Sequence, residues 1–331
     1  MKPGAAIPRL VRLPSLPDGL VNRLILAGVL VLVIGVPVFG AYYVLDRNVD
    51  AGPSLVERQL ASAVDAVRQQ PNSVPRRLAL GAAYAAANRL DDALAQYDEV
   101  LKVEPDNRTA LLGRGDALVT KGDLDGAAAA FQKIVDDSKG GEFAPVDPQL
   151  EQAYYSLGSI ALKRDRAANA VPFLEAAVKI EPTDADAWYL LGTGYLGTGA
   201  SQKAADALRR AVLFVPTGWC EPYARLAEAE TALSHPPQAE YAGAMVDFCQ
   251  KRLSDAQRRL ERLVSGPVAV DALLGLGMIA EAQEDRDAAV ADYRRVLALD
   301  AKNFNALEGL ARLGAGPPGA HPSAPAAGGS G

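Results

Sequence analysis

Small and apolar residues recur along this chain at helical spacing, and the whole pattern repeats. Seven positions return after 34 residues: Tyr154 with Trp188, Leu157 with Leu191, Gly158 with Gly192, Ala170 with Ala204, Leu174 with Leu208, Ala177 with Ala211 and Pro182 with Pro216. Each unit reads as two short amphipathic helices, with glycine and alanine where the helices must approach closely and a proline closing the second. A lone pair of this kind cannot bury its apolar face, so neighbouring pairs must stack into a solenoid. No segment alternates apolar and polar residues with β-branched enrichment, so the pattern predicts an all-α fold with almost no strand.

The unit Trp188-x2-Leu191-Gly192-x2-Tyr195, continued by Ala204-x3-Leu208-x2-Ala211-x4-Pro216, resembles the tetratricopeptide repeat family. On that resemblance the solenoid covers residues 74–313, with repeats near 74–107 (Leu80, Gly81, Tyr84, Ala93, Tyr97, Pro105), 108–141 (Leu111, Gly115, Leu118, Ala127, Phe131), 151–184, 185–218 and 270–303 (Leu273, Leu276, Gly277, Ala280, Ala289, Tyr293, Val296). In the second repeat Lys139 stands where the closing proline is expected, and residues 140–145 read as an exposed insertion. A helix within 54–73, started by Ser54 and striped by Leu55, Leu60, Ala63 and Val67, is expected to cap one end of the stack, and residues 303–313 the other. Between 220 and 269 two registers fit. Either the helix at 221–233 (Tyr223, Leu226, Ala227) pairs with 237–250 (Ala239), or Gly243 and Ala244 open a pair completed by 254–265 (Ala256, Leu260, Leu263). Residues 314–331 are almost wholly Gly, Pro, Ala and Ser, the composition of a disordered tail.

Ahead of the repeats, residues 1–23 carry Lys2, Arg9, Arg12 and Arg23 against Asp18, with prolines at 3, 8, 14 and 17. Leu24 then opens, and Leu45 closes, an uncharged run of 22 residues that holds Pro37 and ends near Tyr42 and Tyr43. Roughly 20 apolar residues cross a bilayer as a helix, so this run predicts a single transmembrane helix before the solenoid. The basic lead would keep the N-terminus in the cytoplasm and place the repeats outside it, at a bacterial inner membrane. A cleaved signal peptide is the competing reading, although the run is long for one and Val38-Phe39-Gly40 makes a poor cleavage pattern.

Composition narrows the chemistry. The 331 residues are 49% hydrophobic but only 6% aromatic, which suits packing through small residues, and the net charge of −6 argues against nucleic acid. Only His235 and His321 are present, one in a turn and one in the tail, so neither a nucleophile–imidazole pair nor a metal site is expected. The glycines from Gly192 to Gly199 lack the Lys-Ser/Thr of a phosphate loop, and no cofactor is implied. Asp91-Asp92 and Asp136-Asp137 sit at helix ends, where they are solvated. Cys220 and Cys249 flank a hairpin turning near His235, at nearly equal distances, so antiparallel helices bring them together. They read either as a disulfide or as two buried thiols.

What remains is surface. The resemblance implies a groove lined by the first helix of each repeat, at its second, fifth, ninth, twelfth and thirteenth positions. Carried onto this chain, that places Leu78, Ala82, Leu112, Asp116, Tyr155, Ser159, Tyr189, Thr193, Glu228, Leu274 and Met278 there. The lysines and asparagines with which some members clamp an acidic chain end are absent. Tyr155 and Tyr189 offer contact area with a polar tip, or alternatively pack between successive helices. The expected function is therefore non-enzymatic: a membrane-anchored scaffold, assembly factor or chaperone-like adaptor that binds proteins or peptides, with cytochrome c maturation or envelope assembly as the expected setting. The alternatives are a cleaved, secreted binding module and a helical-repeat enzyme.

Overall fold

The computed structural model describes residues 18–47 and 53–316. The proline-rich lead up to residue 17 and the tail from 317 onward, expected to be disordered, lie outside the described residues. The chain falls into two units, 1–61 and 62–331.

In the first unit α1 spans Asp18–Arg47, starting directly after Pro17. Its described side chains at 29–34, 36, 38 and 39 are exposed, and Phe39 stacks on Tyr43 with ring centroids 6.5 Å apart. This corrects the expectation of a transmembrane helix from Leu24 to Leu45, because among the described residues no helix is long and apolar enough to cross a membrane. With the span goes the placement at a bacterial inner membrane with the repeats outside the cytoplasm. Helix α2, Leu55–Gln69, opens with a capping box: Ser54 N–H donates to Glu57 Oε2 at 2.7 Å and Glu57 N–H to Ser54 Oγ at 3.2 Å.

The second unit stacks helices two by two: α3 (Val74–Ala86) with α4 (Leu90–Val103), α5 (Arg108–Lys121) with α6 (Leu124–Ser138), α7 (Pro148–Lys163) with α8 (Ala167–Ile180), and α9 (Ala185–Gly197) with α10 (Ser201–Phe214). Helices α11 (Glu221–Ala232), α12 (Pro236–Cys249) and α13 (Leu253–Glu261) follow, then α14 (Ala269–Ala282) with α15 (Arg286–Leu299), and α16 (Phe304–Arg312). The insertion between α6 and α7 holds a short 3-10 turn, Ala144–Val146, and leaves Phe143 and Val146 bare.

One local rule builds five of the hairpins. The small residue of a first helix faces the residue 16 positions later in its partner: Gly81 meets Tyr97, Gly115 meets Phe131, Gly158 meets Leu174, Gly192 meets Leu208 and Gly277 meets Tyr293. Seven positions after each of these glycines the chain turns through a left-handed residue, namely Asn88, Gly122, Asp165, Gly199 and Glu284. The same offset from Ala227 reaches Ser234, and from Ala244 reaches Lys251, both left-handed as well. Both registers expected for 220–269 are therefore realised together. Helix α12 is the second helix of a hairpin with α11 and the first helix of a hairpin with α13.

First helices of successive pairs touch: α3 with α5, α5 with α7, α7 with α9, α9 with α11, α12 with α14, and α14 with α16. Among the described residues no second helix makes comparable contact with the next second helix. The first helices are thus the closely spaced row, which puts them on the inner side of the curve.

Candidate functional site

On α5 and α7, Asp116 is exposed at its tip, and Gln152 Nε2 points to its Oδ2 at 3.5 Å. Burial of its surroundings pushes the Asp116 carboxyl up. Between α7 and α9, Tyr155 is half-buried, and burial followed by the charges of Asp186, Asp184 and Glu151 pushes its phenol up. Asp184 starts α9 by accepting from Ala187 N–H at 3.1 Å, a helix cap that fixes its carboxylate beside Glu151. Burial, then the charge of Asp184, pushes the Glu151 carboxyl up to about 7. Its Oε1 is buried with no donor among the described residues.

Between α9 and α11, the Tyr189 ring meets the Trp219 ring edge-on, 4.9 Å between centroids at 66°, and Arg225 lies near its hydroxyl. Arg225 in turn donates to Glu228 at 2.9 Å. Four successive first helices thus share one strip, running from Asp116 through Tyr155 and Tyr189 to Trp219 and Glu228.

The remaining expected groove residues are placed differently. Ala82 is exposed, Leu78 and Ser159 are half-buried, and Thr193 Oγ1 donates to its own helix at Tyr189 O, 3.0 Å. Leu112, Leu274 and Met278 are 7%, 7% and 6% exposed, so they belong to the core rather than to an open groove. Leu274 and Met278 are covered because the extra helix brings α14 up against the α10–α11 connection. Leu213, Pro216 and Thr217 share cavities with them, and Asn305 Nδ2 donates back to Leu213 O at 3.4 Å.

Glu151, Gln152, Asp186, Trp219 and Arg225 are members of the strip that the sequence reading missed. Gln152 and Asp186 had a signal: both occupy the second position of their repeats, 34 residues apart. Trp219 and Arg225 had none, since their approach to Tyr189 depends on how the connection after Pro216 folds. Trp188, by contrast, serves the fold. Its Nε1–H donates to Pro182 O at 2.8 Å and Arg210 lies 5.0 Å over its ring.

Cys220 at the start of α11 and Cys249 at the end of α12 are half-buried free thiols. Burial, then the hydrogen bond with Cys220, pushes the Cys249 thiol up to about 12. Among the described residues no cluster of three or more His, Cys, Asp or Glu side chains is arranged to hold a metal ion.

Over 181 residues, 55% of its length, the chain is 20% identical to superkiller protein 3 of Schizosaccharomyces pombe, of which it spans only 13%. Among solved structures, YrrB, described as a TPR protein with an unusual peptide-binding site, is 20% identical, with 59% of this chain and 96% of that chain covered and a TM-score of 0.48. MamA of Desulfovibrio magneticus is 24% identical, with 55% and 97% covered and the same TM-score of 0.48. The tetratricopeptide repeat family model matches residues 78–142, 155–218 and 241–306. Its third block opens at Tyr241 in α12, as the first opens in α3 and the second in α7, so α12 is read there as a first helix. These matches cover more than half of the sequence, and the chain belongs to the tetratricopeptide repeat family.

Proposed function

We propose that the chain binds a segment of another protein along the strip from Asp116 to Trp219, and that it works as an adaptor or assembly factor of chaperone-like kind, without catalysis. The observation that carries this reading is the Tyr155–Tyr189–Trp219 run, where three half-buried aromatic side chains from α7, α9 and the approach to α11 keep one face toward solvent. Aromatic rings with polar tips give large contact area at little conformational cost, the composition of binding hot spots. Carboxylates along the same strip add hydrogen-bond acceptors.

The test is a photoreactive residue at position 159, used for crosslinking in a lysate from the source cells, in the otherwise unchanged chain and in the double variant Tyr155→Ala, Tyr189→Ala. A discrete crosslinked partner with the first, lost or reduced at least tenfold with the second while helicity and melting stay close to wild type, is the expected result. Equal capture by both proteins moves the site elsewhere.

A further inference from the structure

Between the second helices α6 and α8, on the outer side of the stack, lies an open groove of about 350 Å³. Its floor is one face of α7, where Leu157, Ile160 and Ala161 are buried. Ala128 and Ala129 of α6 form one wall, and the half-buried Phe173 of α8 forms the other. The depth has a cause in the sequence. The residues three and two places before the one that faces the hairpin glycine are Leu94-Ala95 in α4 and Val171-Pro172 in α8, but Ala128-Ala129 in α6. Two methyl groups there leave space that a larger side chain would fill. At one end the groove turns basic: Arg164 and Arg166 line it, and no carboxylate does. Arg164 donates to the exposed Asp125 at 2.6 Å, whereas the Arg166 side chain has no hydrogen bond or ion pair among the described residues. Arg166 also stands at the start of α8, which has no side-chain cap. The free N–H groups of that first turn and the helix dipole therefore add to the attraction for negative charge.

We propose that this groove docks a short acidic segment of a partner protein, with two large apolar side chains on the α7 floor and carboxylates against Arg166 and the start of α8. The size fits: an apolar cavity of about 150 Å³ takes one benzene-sized group, so this groove takes two. The length fits as well. From Leu157 to Arg164 the floor rises about 10 Å along α7, room for two anchors and an adjoining charge. Covering the apolar floor supplies the affinity, and the cations at its end select acidic over neutral or basic partners. Residues 314–331 contain neither aspartate nor glutamate, so the chain's own tail lacks the carboxylates that the groove selects. The groove shares no residue with the strip from Asp116 to Trp219, so the two sites can fail separately.

The test uses the full chain and two capped peptides, acetyl-Asp-Glu-Leu-Ala-Ala-Leu-Phe-amide and its counterpart with Asn-Gln in place of Asp-Glu, titrated by calorimetry. The acidic peptide should bind at least tenfold more tightly than the neutral one. Ala129→Trp, which fills the groove from an exposed position, should abolish binding of both without lowering the melting temperature. Ala95→Trp, the same change at the exposed equivalent in α4, should leave binding intact. Arg166→Gln should shrink the acidic preference to threefold or less, whereas Lys179→Gln, at the other end of α8, should keep it. The Tyr155→Ala, Tyr189→Ala protein should bind both peptides as wild type does. Equal affinity for the two peptides, binding that survives Ala129→Trp, or a preference that survives Arg166→Gln overturns the proposal. Self-association of the chain alone, seen by sedimentation and lost in Ala129→Trp, overturns the partner protein and assigns the groove to a second copy.

Discussion

At Gly192 two opposing effects can be weighed directly. Glycine inside a helix is about 1 kcal/mol less favourable than alanine, so an added methyl should help. Here, however, a Cβ would stand 2.5 Å from Leu208 Cγ and 3.3 Å from the Ala204 carbonyl oxygen, and Leu208 is fully buried with nowhere to move. Overpacking of about 1–3 kcal/mol therefore wins. Gly192→Ala should lower unfolding stability by about 1–2 kcal/mol in a urea titration, while Gly140→Ala, with nothing within 4 Å of the new Cβ, should stay within about 0.5 kcal/mol of wild type. Glu151 gives the pH counterpart. Its carboxyl holds a proton up to about 7 in the folded chain, against 4.5 as the ordinary value. Between those values the folded state binds a proton that the unfolded state has released, so stability falls as pH rises toward 7 and stays lower above it. Partial exposure of Glu151 discounts the effect to about 1 kcal/mol. Glu151→Gln should thus exceed wild type by about that amount at pH 8.5, with the gap closed or reversed at pH 4. A gap that does not change with pH would show that the Glu151–Asp184 contact carries no proton.

The double use of α12 is an element-scale device, and it has a covalent counterpart. Because α11 and α12 form a hairpin with a left-handed Ser234 at its tip, the open end brings Cys220 to Cys249. With oxidised glutathione as acceptor, the two thiols should lose their hydrogens and join, releasing two reduced glutathiones. The closed loop then stabilises by roughly 3–4 kcal/mol in the chain-entropy picture. The expected readout is a mass lower by about 2 Da, no free thiol by titration and a higher melting temperature, all absent in Cys220→Ser. Persistent thiols under that oxidant would mean that the half-buried Cys249, with its thiol held protonated, is sealed from exchange. The hairpins themselves were legible in the sequence because Gly158, Gly192 and Gly277 recur with their partners at fixed offsets. The register of α11 to α13 was not, because Ala227 and Ala244 occupy the glycine position and alanine is too common here to be a marker. Repeat positions put Tyr155, Tyr189 and Asp116 on one face of the stack, and they do lie along one strip. Leu274 and Met278 were assigned to an open groove by the same logic and are buried, since repeat position cannot report the extra helix that turns the stack onto itself.

That closure sets how the solenoid should come apart. In an ideal repeat array each pair touches only its neighbours, and stability is a sum of local terms. Here the last buried cluster runs from Val212 in α10 to Leu310 in α16, and Asn305 reaches Leu213 across 92 residues. Helices α10 to α16 should therefore open as one cooperative block. At the opposite end the buried cluster under α3 and α4 holds only Ala93, Tyr97, Val100 and Ala110, and α2 contributes no buried residue, so little apolar surface resists fraying. Hydrogen exchange followed by mass spectrometry in rising urea separates the two regimes. Amides of α3 and α4 should exchange at the lowest denaturant, with a shallow dependence on it. Peptides from α10, α12, α14 and α16 should share a single, steeper transition. Asn305→Ala, which deletes the long tie but little apolar surface, should weaken α10 and α16 together and leave α3 to α6 unchanged. If α10 instead exchanges in step with α9 and independently of α16, the distal block is an ordinary run of repeats.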